Sequence, residues 1–154
     1  MYEEMFRLPW RAQLESFSVF RALGDLSGAQ VLDIGCGTGS YSREMKRCGD
    51  ARVVGYDISE GVLAVARQAE AEEPLGIEYV TSPPDAGTVG IALAVYVLPY
   101  AEDSLERALR EAGFDGICWP AFGVSEEGTA RYGEEFRRPY PECPDAAIIT
   151  CRRT

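Results

Sequence analysis

The stretch from 31 to 40, VLDIGCGTGS, has the residue types of a ligand-holding turn. A run of apolar residues ends at Asp33, and three glycines then alternate with other residues at Gly35, Gly37 and Gly39. Glycines allow the backbone to come close to a ligand, and the helix that follows presents free N–H groups. This spacing predicts a loop that holds a nucleotide-bearing cofactor.

Two phosphate-binding loops do not fit the spacing. A dinucleotide loop requires GxGxxG, whereas position 40 is Ser40, so the third glycine of that pattern is missing. A P-loop requires GK followed by Ser or Thr, and that sequence does not follow these glycines. The carboxylate of Asp33 would also repel a phosphate beside the loop. Phosphate ligands are therefore disfavoured.

Two acidic residues favour a cofactor that has a ribose and a positive charge. Asp33 can hold an amine directly or through water, and Asp57 has the place of the acid that binds ribose hydroxyls about 20 positions downstream. S-adenosylmethionine, a sulfonium nucleoside, satisfies both observations. The alternative is that the loop is only a tight strand-to-helix turn and that Asp57 is an acid at a helix N-terminus.

Alternating strands and helices must position these residues. Apolar periodicity and capping residues predict the following elements: a helix over 9–23, a strand over 29–34, a helix over 40–48, a strand over 52–56, a helix from Ser59 to 73, strands over 77–80 and 89–98, a helix over 102–112, a strand over 114–119, a helix from Ser125 to 138 and a strand over 146–151. This order predicts an α/β fold, a Rossmann-like doubly wound and mostly parallel sheet.

Composition limits the remaining possibilities. The chain has 154 residues and a net charge of −10, so an acidic surface makes nucleic acid and anionic membrane poor partners. Its five cysteines show no CxxC spacing and no histidine is present, which disfavours a metal site and predicts a cytoplasmic protein. One domain is expected, with a helical cap at 1–28, a cofactor-binding core at 29–112 and a strand–helix–strand at 113–154.

The motifs resemble a known family. VLDIGCGTG followed by VVGYDIS is similar to motifs I and II of class I S-adenosylmethionine-dependent methyltransferases. LPWRAQLESFSVFRALGDL, PLGIEYV, AVYVLPYA and AGFDGICWPAFGVSEEGTARYGEEF resemble the toxoflavin N-methyltransferase-like subgroup. The resemblance implies a cofactor site made of Asp33, Gly35, Cys36, Gly37, Thr38, Gly39, Asp57, Ile58 and Asp85, with Tyr2 and Tyr41 as further candidates near the methionine end.

The sequence departs from that family in two places. TSPPDAG stands where an acidic residue near the adenine amino group is usual, and Asp85 is the nearest substitute, although an exposed turn aspartate would read the same. Between LPYA and LREAGF there is room for one helix, so the family's fifth strand and substrate-covering insert are expected to be missing. We expect the last strand to lie beside the fourth, or else a homodimer to cover it.

These observations predict a methyltransferase that acts on a small-molecule substrate in specialised metabolism. Tyr96 and Tyr100, at the end of the fourth strand, are the candidates to touch the methyl group or the substrate, and aromatic packing is their alternative role. A second hypothesis is a domain that binds the cofactor without methyl transfer, as a binding partner, a cyclase or an isomerase. A third is that the chain derives from a longer parent.

Overall fold

The structure, a computed structural model, describes residues 11–49, 51–85, 87–97, 102–133 and 148–153. The chain divides into two compact units. One consists of Met1–Gly24 with Tyr100–Thr154, and the other consists of Asp25–Pro99. The single domain with parts at 1–28, 29–112 and 113–154 stays a prediction.

The described residues form helices and strands in close alternation. In chain order they are a π-helical segment Arg11–Ser16, α1 Phe17–Leu23, β1 Gln30–Ile34, α2 Ser40–Arg47, β2 Arg52–Tyr56, α3 Glu60–Glu72, β3 Glu78–Val80, β4 Ile91–Ala94, α4 Glu102–Glu111, β5 Phe114–Cys118, α5 Glu126–Tyr132 and β6 Thr150–Arg153. From β1 to β3, each predicted element is present to within one residue at each end.

A four-stranded parallel sheet forms the centre of the Asp25–Pro99 unit. Its strand order is β3-β2-β1-β4, and Leu32 of β1 pairs with Val54 of β2 and Ala92 of β4. Helix α2 contacts β2 and α3 contacts β3. The core of this unit includes Met45 and Leu63, both 0% exposed. The predicted Rossmann-like, mostly parallel α/β fold is confirmed.

The predicted position of the last strand is wrong. Strand β6 does not join the four-stranded sheet but pairs with β5 in a separate antiparallel sheet, with a register shift between Asp115 and Cys118. The expectation rested on short connections. Pairing β6 with β5 instead satisfies the backbone groups of two strands at once, since each is the other's partner in that sheet. Among the described residues, β4 pairs with β1 alone.

Strand β4 is also shorter than predicted. It covers Ile91–Ala94 instead of 89–98, because the backbone of Tyr96 turns into the left-handed region with φ 59°. A residue with a side chain adopts that region at some cost, and the strand cannot continue through it. Residue 98, the end of the prediction, lies outside the described residues.

Polar contacts of α1 organise the other unit. The buried Ser18 hydroxyl accepts the Gly123 N–H at 2.9 Å, and the Arg21 guanidinium donates to the Ala121 carbonyl at 2.7 Å. The predicted cap at Ser125 is confirmed, since its hydroxyl accepts the Gly128 N–H at 3.0 Å and α5 follows. The predicted continuation over 134–138 lies outside the described residues.

A charged clip fastens the helices of the Asp25–Pro99 unit to the start of β3. Glu70 accepts the backbone N–H groups of the three residues that lead into β3, at 2.6, 2.6 and 3.2 Å. The other carboxylate oxygen of Glu70 accepts a hydrogen bond from Arg43 Nη1 at 3.0 Å. Burial acts to raise the pKa of Glu70, but these backbone donors and Arg43 outweigh it and lower the pKa. The clip therefore depends on an ionised glutamate.

We predict that Glu70→Ala lowers the free energy of unfolding by about 2–4 kcal/mol, because it removes the acceptor of Arg43 Nη1 and of three backbone N–H groups, while Arg43 Nη2 keeps its bonds to Glu73. Urea unfolding measures the loss. The control is Glu78→Ala, whose pair with Arg52 is long, at 3.9 Å, and more than 60% exposed on both sides. It should cost less than about 1 kcal/mol. Equal losses in the two variants would contradict the assignment of a clip.

Candidate functional site

The loop between β1 and α2 is built on three left-handed glycines. Gly35, Gly37 and Gly39 have φ values of 64°, 58° and 83°, which side chains disfavour. The Gly39 N–H donates to the Cys36 carbonyl at 2.9 Å, and the Arg43 N–H donates to the Gly39 carbonyl at 2.9 Å. The loop thus turns directly into the first turn of α2.

Asp57 ties this loop to the end of β2. One carboxylate oxygen accepts the Gly37 N–H at 3.0 Å, and the other accepts the Ser59 N–H at 2.9 Å. The Asp57 N–H itself donates to the Val80 carbonyl at 3.2 Å. The cap predicted from the Ser59 side chain is wrong, since that side chain makes no capping bond. The Asp57 carboxylate instead binds the N–H of Ser59, just before α3.

Asp33 lies beneath the loop. It is 2% exposed, and the hydroxyl of the fully buried Ser42 donates to its carboxylate at 2.5 Å. Burial, with a smaller contribution from the negative charge of Asp57, raises the pKa of Asp33 to about 6, against the hydrogen bonding of Ser42, which lowers it. Near neutral pH the site therefore holds two carboxylates close to one loop, which favours a cation over a phosphate.

Cys36 is a packed thiol rather than a nucleophile. It is 9% exposed, and its N–H donates to the Tyr56 carbonyl at 3.0 Å. Burial, with the charges of Asp33 and Asp57, raises the pKa of its thiol to about 12. A thiolate is the reactive form, so Cys36 is inert at neutral pH.

Space for a ligand lies over the middle of the loop. A Cβ built at Gly37 would meet nothing within 4 Å. Ile58, which follows Asp57, is 83% exposed, an unusual position for a large apolar side chain. Thr38 is half-buried, whereas Tyr41 is 6% exposed and belongs to the core.

Asp85 is not brought to the loop. It is exposed and lines a groove together with Gln30, Arg52 and Glu78, the first residues of β1, β2 and β3. The glycine loop follows the last residue of β1, so it stands at the opposite edge of the parallel sheet. A cofactor-binding role of Asp85 stays a prediction.

The segment after β4 packs against the loop. A Cβ built at Gly35 would overlap Val97 Cγ2 and lie 3.2 Å from its Cγ1, so Val97 fills the space that the glycine leaves. Tyr96, whose backbone is left-handed, is 38% exposed. Tyr100 and Tyr2 lie outside the described residues.

Sequence reasoning missed three residues of this site, namely Ser42, Tyr79 and Val97. A Cβ built at Gly55 would lie 2.6 Å from Tyr79 Cδ1 and 3.0 Å from Cys36 Sγ. Tyr79 pairs with Gly55 across β2 and β3, so both lie on one face of the sheet. The alternation of GIEYV could have indicated that Tyr79 faces the core; nothing in the sequence indicated the partners of Ser42 and Val97.

The described part of the chain has neither a metal-binding cluster nor a membrane-spanning helix. No group of three or more His, Cys, Asp or Glu side chains there could hold a metal ion. None of its helices has the length and apolar character needed to cross a membrane.

A parallel α/β sheet with a glycine loop after β1 and an acid at the tip of β2 defines a nucleoside-cofactor-binding, Rossmann-like protein. Residues 31–113, more than half of the chain, match the family described as methyltransferase domain, and the chain belongs to that family. The predictions of a class I methyltransferase and of S-adenosylmethionine as its cofactor are confirmed at the level of the family. The toxoflavin N-methyltransferase-like subgroup stays a prediction.

Relatives match parts of the chain. A ubiquinone biosynthesis O-methyltransferase from Bordetella avium is 33% identical over 103 residues, 63% of this chain and 39% of that protein. Its counterpart from Acinetobacter baylyi is 49% identical over 57 residues, 36% of this chain and 24% of that protein. The chain thus spans well under half the length of these relatives.

A solved structure shares the fold. It is N-methyltransferase 2 of Haemonchus contortus, in complex with phosphomonomethylethanolamine and S-adenosylhomocysteine. The TM-score is 0.57 at 16% identity, and the match covers 68% of this chain and 37% of the other. At that identity the likeness concerns the fold alone.

We predict that the unfolding free energy of Asp33→Asn, relative to that of the wild type, increases as the pH rises. The pKa of Asp33 is higher in the fold than the ordinary 3.8, so its contribution to stability is greatest below pH 4 and is lost as pH rises to about 6. The difference in unfolding free energy between variant and wild type should grow by about 2–3 kcal/mol between pH 4 and pH 7. Urea unfolding at both pH values measures it, with the exposed Asp85→Asn as control. A difference that does not change with pH would contradict the assignment.

Proposed function

We propose that this chain binds S-adenosylmethionine over the loop between β1 and α2 and transfers its methyl group to an oxygen of a small-molecule substrate. The observation that carries the proposal is the Asp57 carboxylate. It holds the Gly37 N–H at 3.0 Å beneath open space, at the end of a sheet where ligands of this fold bind.

The residues present fit an adenosyl ligand. Each carboxylate oxygen of Asp57 uses one lone pair on a backbone N–H and has another for a ribose hydroxyl. The exposed side chain of Ile58 offers an apolar surface for a planar ring next to that carboxylate. Gly37 has no side chain in the way. Asp57, Ile58 and the glycine loop would therefore hold the nucleoside.

Asp33 supplies a charge for which a cation is the natural partner. Burial disfavours its ionised form, and a positive group above the loop would offset that cost. Asp57 adds to the same negative field. The carboxylates thus support a sulfonium and an amine, and they would oppose the phosphates of a dinucleotide.

When bound, S-adenosylmethionine supplies an activated methyl group, which passes to a nucleophile as the carbon–sulfur bond breaks and its electron pair stays on sulfur. The loop contributes alignment of the reacting groups. A chain without histidine lacks the usual base near neutral pH, so the proton of the acceptor leaves to solvent. Tyr96 is exposed after β4, and the next residue, Val97, packs on Gly35. Tyr96 would therefore face the acceptor.

Three finer parts of the proposal have their own support. The names of the O-methyltransferase relatives favour an oxygen of the acceptor over a nitrogen. We propose a role in specialised metabolism on the motif resemblance, and a cytoplasmic location on the cysteine pattern. A homodimer that covers β4 is supported by the edge of that strand, which pairs with β1 alone among the described residues.

We predict that Asp57→Ala and Gly37→Val each weaken the binding of S-adenosylmethionine by about 100-fold or more, measured by titration calorimetry. The first removes the acceptor of two backbone N–H groups, and the second places a branched side chain at a φ of 58° under the ligand. Glu78→Ala, at the far edge of the sheet, should bind like the wild type. Affinity that survives either loop variant would show that the site is wrongly assigned.

We predict methyl transfer from labelled S-adenosylmethionine to phenols rather than to nitrogen heterocycles. Tyr96→Ala should lower kcat/KM for the acceptor by about tenfold, because an aromatic contact is lost, while the dissociation constant of the cofactor changes less than about twofold. Tyr132→Phe on α5 serves as the control. Tight cofactor binding without transfer to any acceptor would contradict the enzymatic part of the proposal and leave a binding protein.

A further inference from the structure

Tyr79, in the middle of β3, lies under the cofactor loop without belonging to any motif. It is 6% exposed, and among the residues that the structure describes its hydroxyl has no hydrogen-bond partner. A buried hydroxyl without a partner lowers stability, and a phenylalanine would fill the same space without that cost. The position of the hydroxyl therefore requires an explanation.

The ring occupies the space that two glycines leave. A Cβ built at Gly39 would overlap the Tyr79 hydroxyl and lie 2.8 Å from Cζ, which no real side chain tolerates. A Cβ at Gly55 would lie 2.6 Å from Cδ1 and 2.7 Å from Cε1. The ring thus rests on β2 at Gly55, and its hydroxyl reaches the loop at Gly39.

The backbone of β3 is fixed at the same point. The Arg67 guanidinium donates to the Tyr79 carbonyl from Nη2 at 3.0 Å and from Nε at 3.3 Å. The next carbonyl, of Val80, accepts the Asp57 N–H, and Asp57 in turn holds the Gly37 N–H. The end of β3 therefore supports the loop twice, at Gly37 through Asp57 and at Gly39 through the Tyr79 ring.

We propose that Tyr79 is a positioning residue for the cofactor loop, whose hydroxyl acts as a spacer beneath Gly39 and keeps the loop in its binding conformation at the expense of stability. This inference rests on the proposed cofactor site. It assigns the third glycine of the loop a different role from the second. Gly37 leaves room for the ligand above, and Gly39 leaves room for Tyr79 below.

Tyr79→Phe tests the spacer. The variant should raise Tm by about 2–4 °C, since a buried hydroxyl without a partner is removed. It should also weaken S-adenosylmethionine binding by about fivefold to tenfold in titration calorimetry, since the loop loses its support at Gly39. A merely structural residue would not move stability and affinity in opposite directions. Tyr132→Phe, a tyrosine on α5, should leave the affinity for S-adenosylmethionine unchanged.

The outcomes separate this inference from the proposed function. A wild-type chain that does not bind S-adenosylmethionine refutes both. If the wild type binds and Tyr79→Phe binds with the same affinity, the spacer alone is refuted. The spacer is also refuted if Tyr79→Phe lowers both the affinity and Tm.

A second experiment tests the contact without any ligand. Gly39→Ala should lower Tm strongly in the wild-type background and only slightly in a Tyr79→Leu background, where the clash is gone and the strain of a left-handed alanine remains. Gly37→Ala is the matched control, because its φ is also positive but a Cβ there meets nothing within 4 Å. It should cost the same in both backgrounds. Equal Gly39→Ala losses in the two backgrounds would overturn the inference.

Discussion

The geometry of the site depends on one carboxylate. Asp57 accepts the N–H of Gly37 from the loop after β1 and the N–H of Ser59 from the start of α3, and its own N–H is held by β3. The ends of three neighbouring strands are thereby tied to one residue, through its carboxylate and its backbone N–H. Because hydrogen bonds to a charged acceptor are stronger than neutral ones, the loop is shaped before any ligand arrives.

The charge of the site follows from the same arrangement. Asp33 lies under the loop with a raised pKa, and Asp57 is near enough to contribute to that shift. Two carboxylates beside one glycine turn are unfavourable in the fold alone, and a cationic ligand is the partner that offsets them. The hydroxyl of Tyr79, which has no hydrogen-bond partner in the part of the chain that the structure describes, is a second local cost at the same loop. Strain and poorly satisfied groups tend to gather where a protein binds or reacts.

The last strand, which short connections led us to expect beside β4, is not part of the described four-stranded sheet. Strand β6 pairs with β5 instead, and the segment after β4 turns back so that Val97 packs on Gly35. That turn accounts for the left-handed backbone of Tyr96. The surroundings of Gly35 are thus shaped by a local turn as well as by the edge of the sheet.

The sequence by itself determined the elements from β1 to β3, the glycine loop and the position of Asp57 at the end of β2. These follow from local signals: apolar periodicity, left-handed glycines and an acid at a fixed distance along the chain. Only the tertiary structure decided that Ser42 binds Asp33, that Asp85 lies at the far edge, that β6 pairs with β5 and that Tyr79 reaches Gly39. Each of these depends on side chains or strands that are distant in the chain, and residue spacing carries no information about which of several neighbours a folded chain will place in contact.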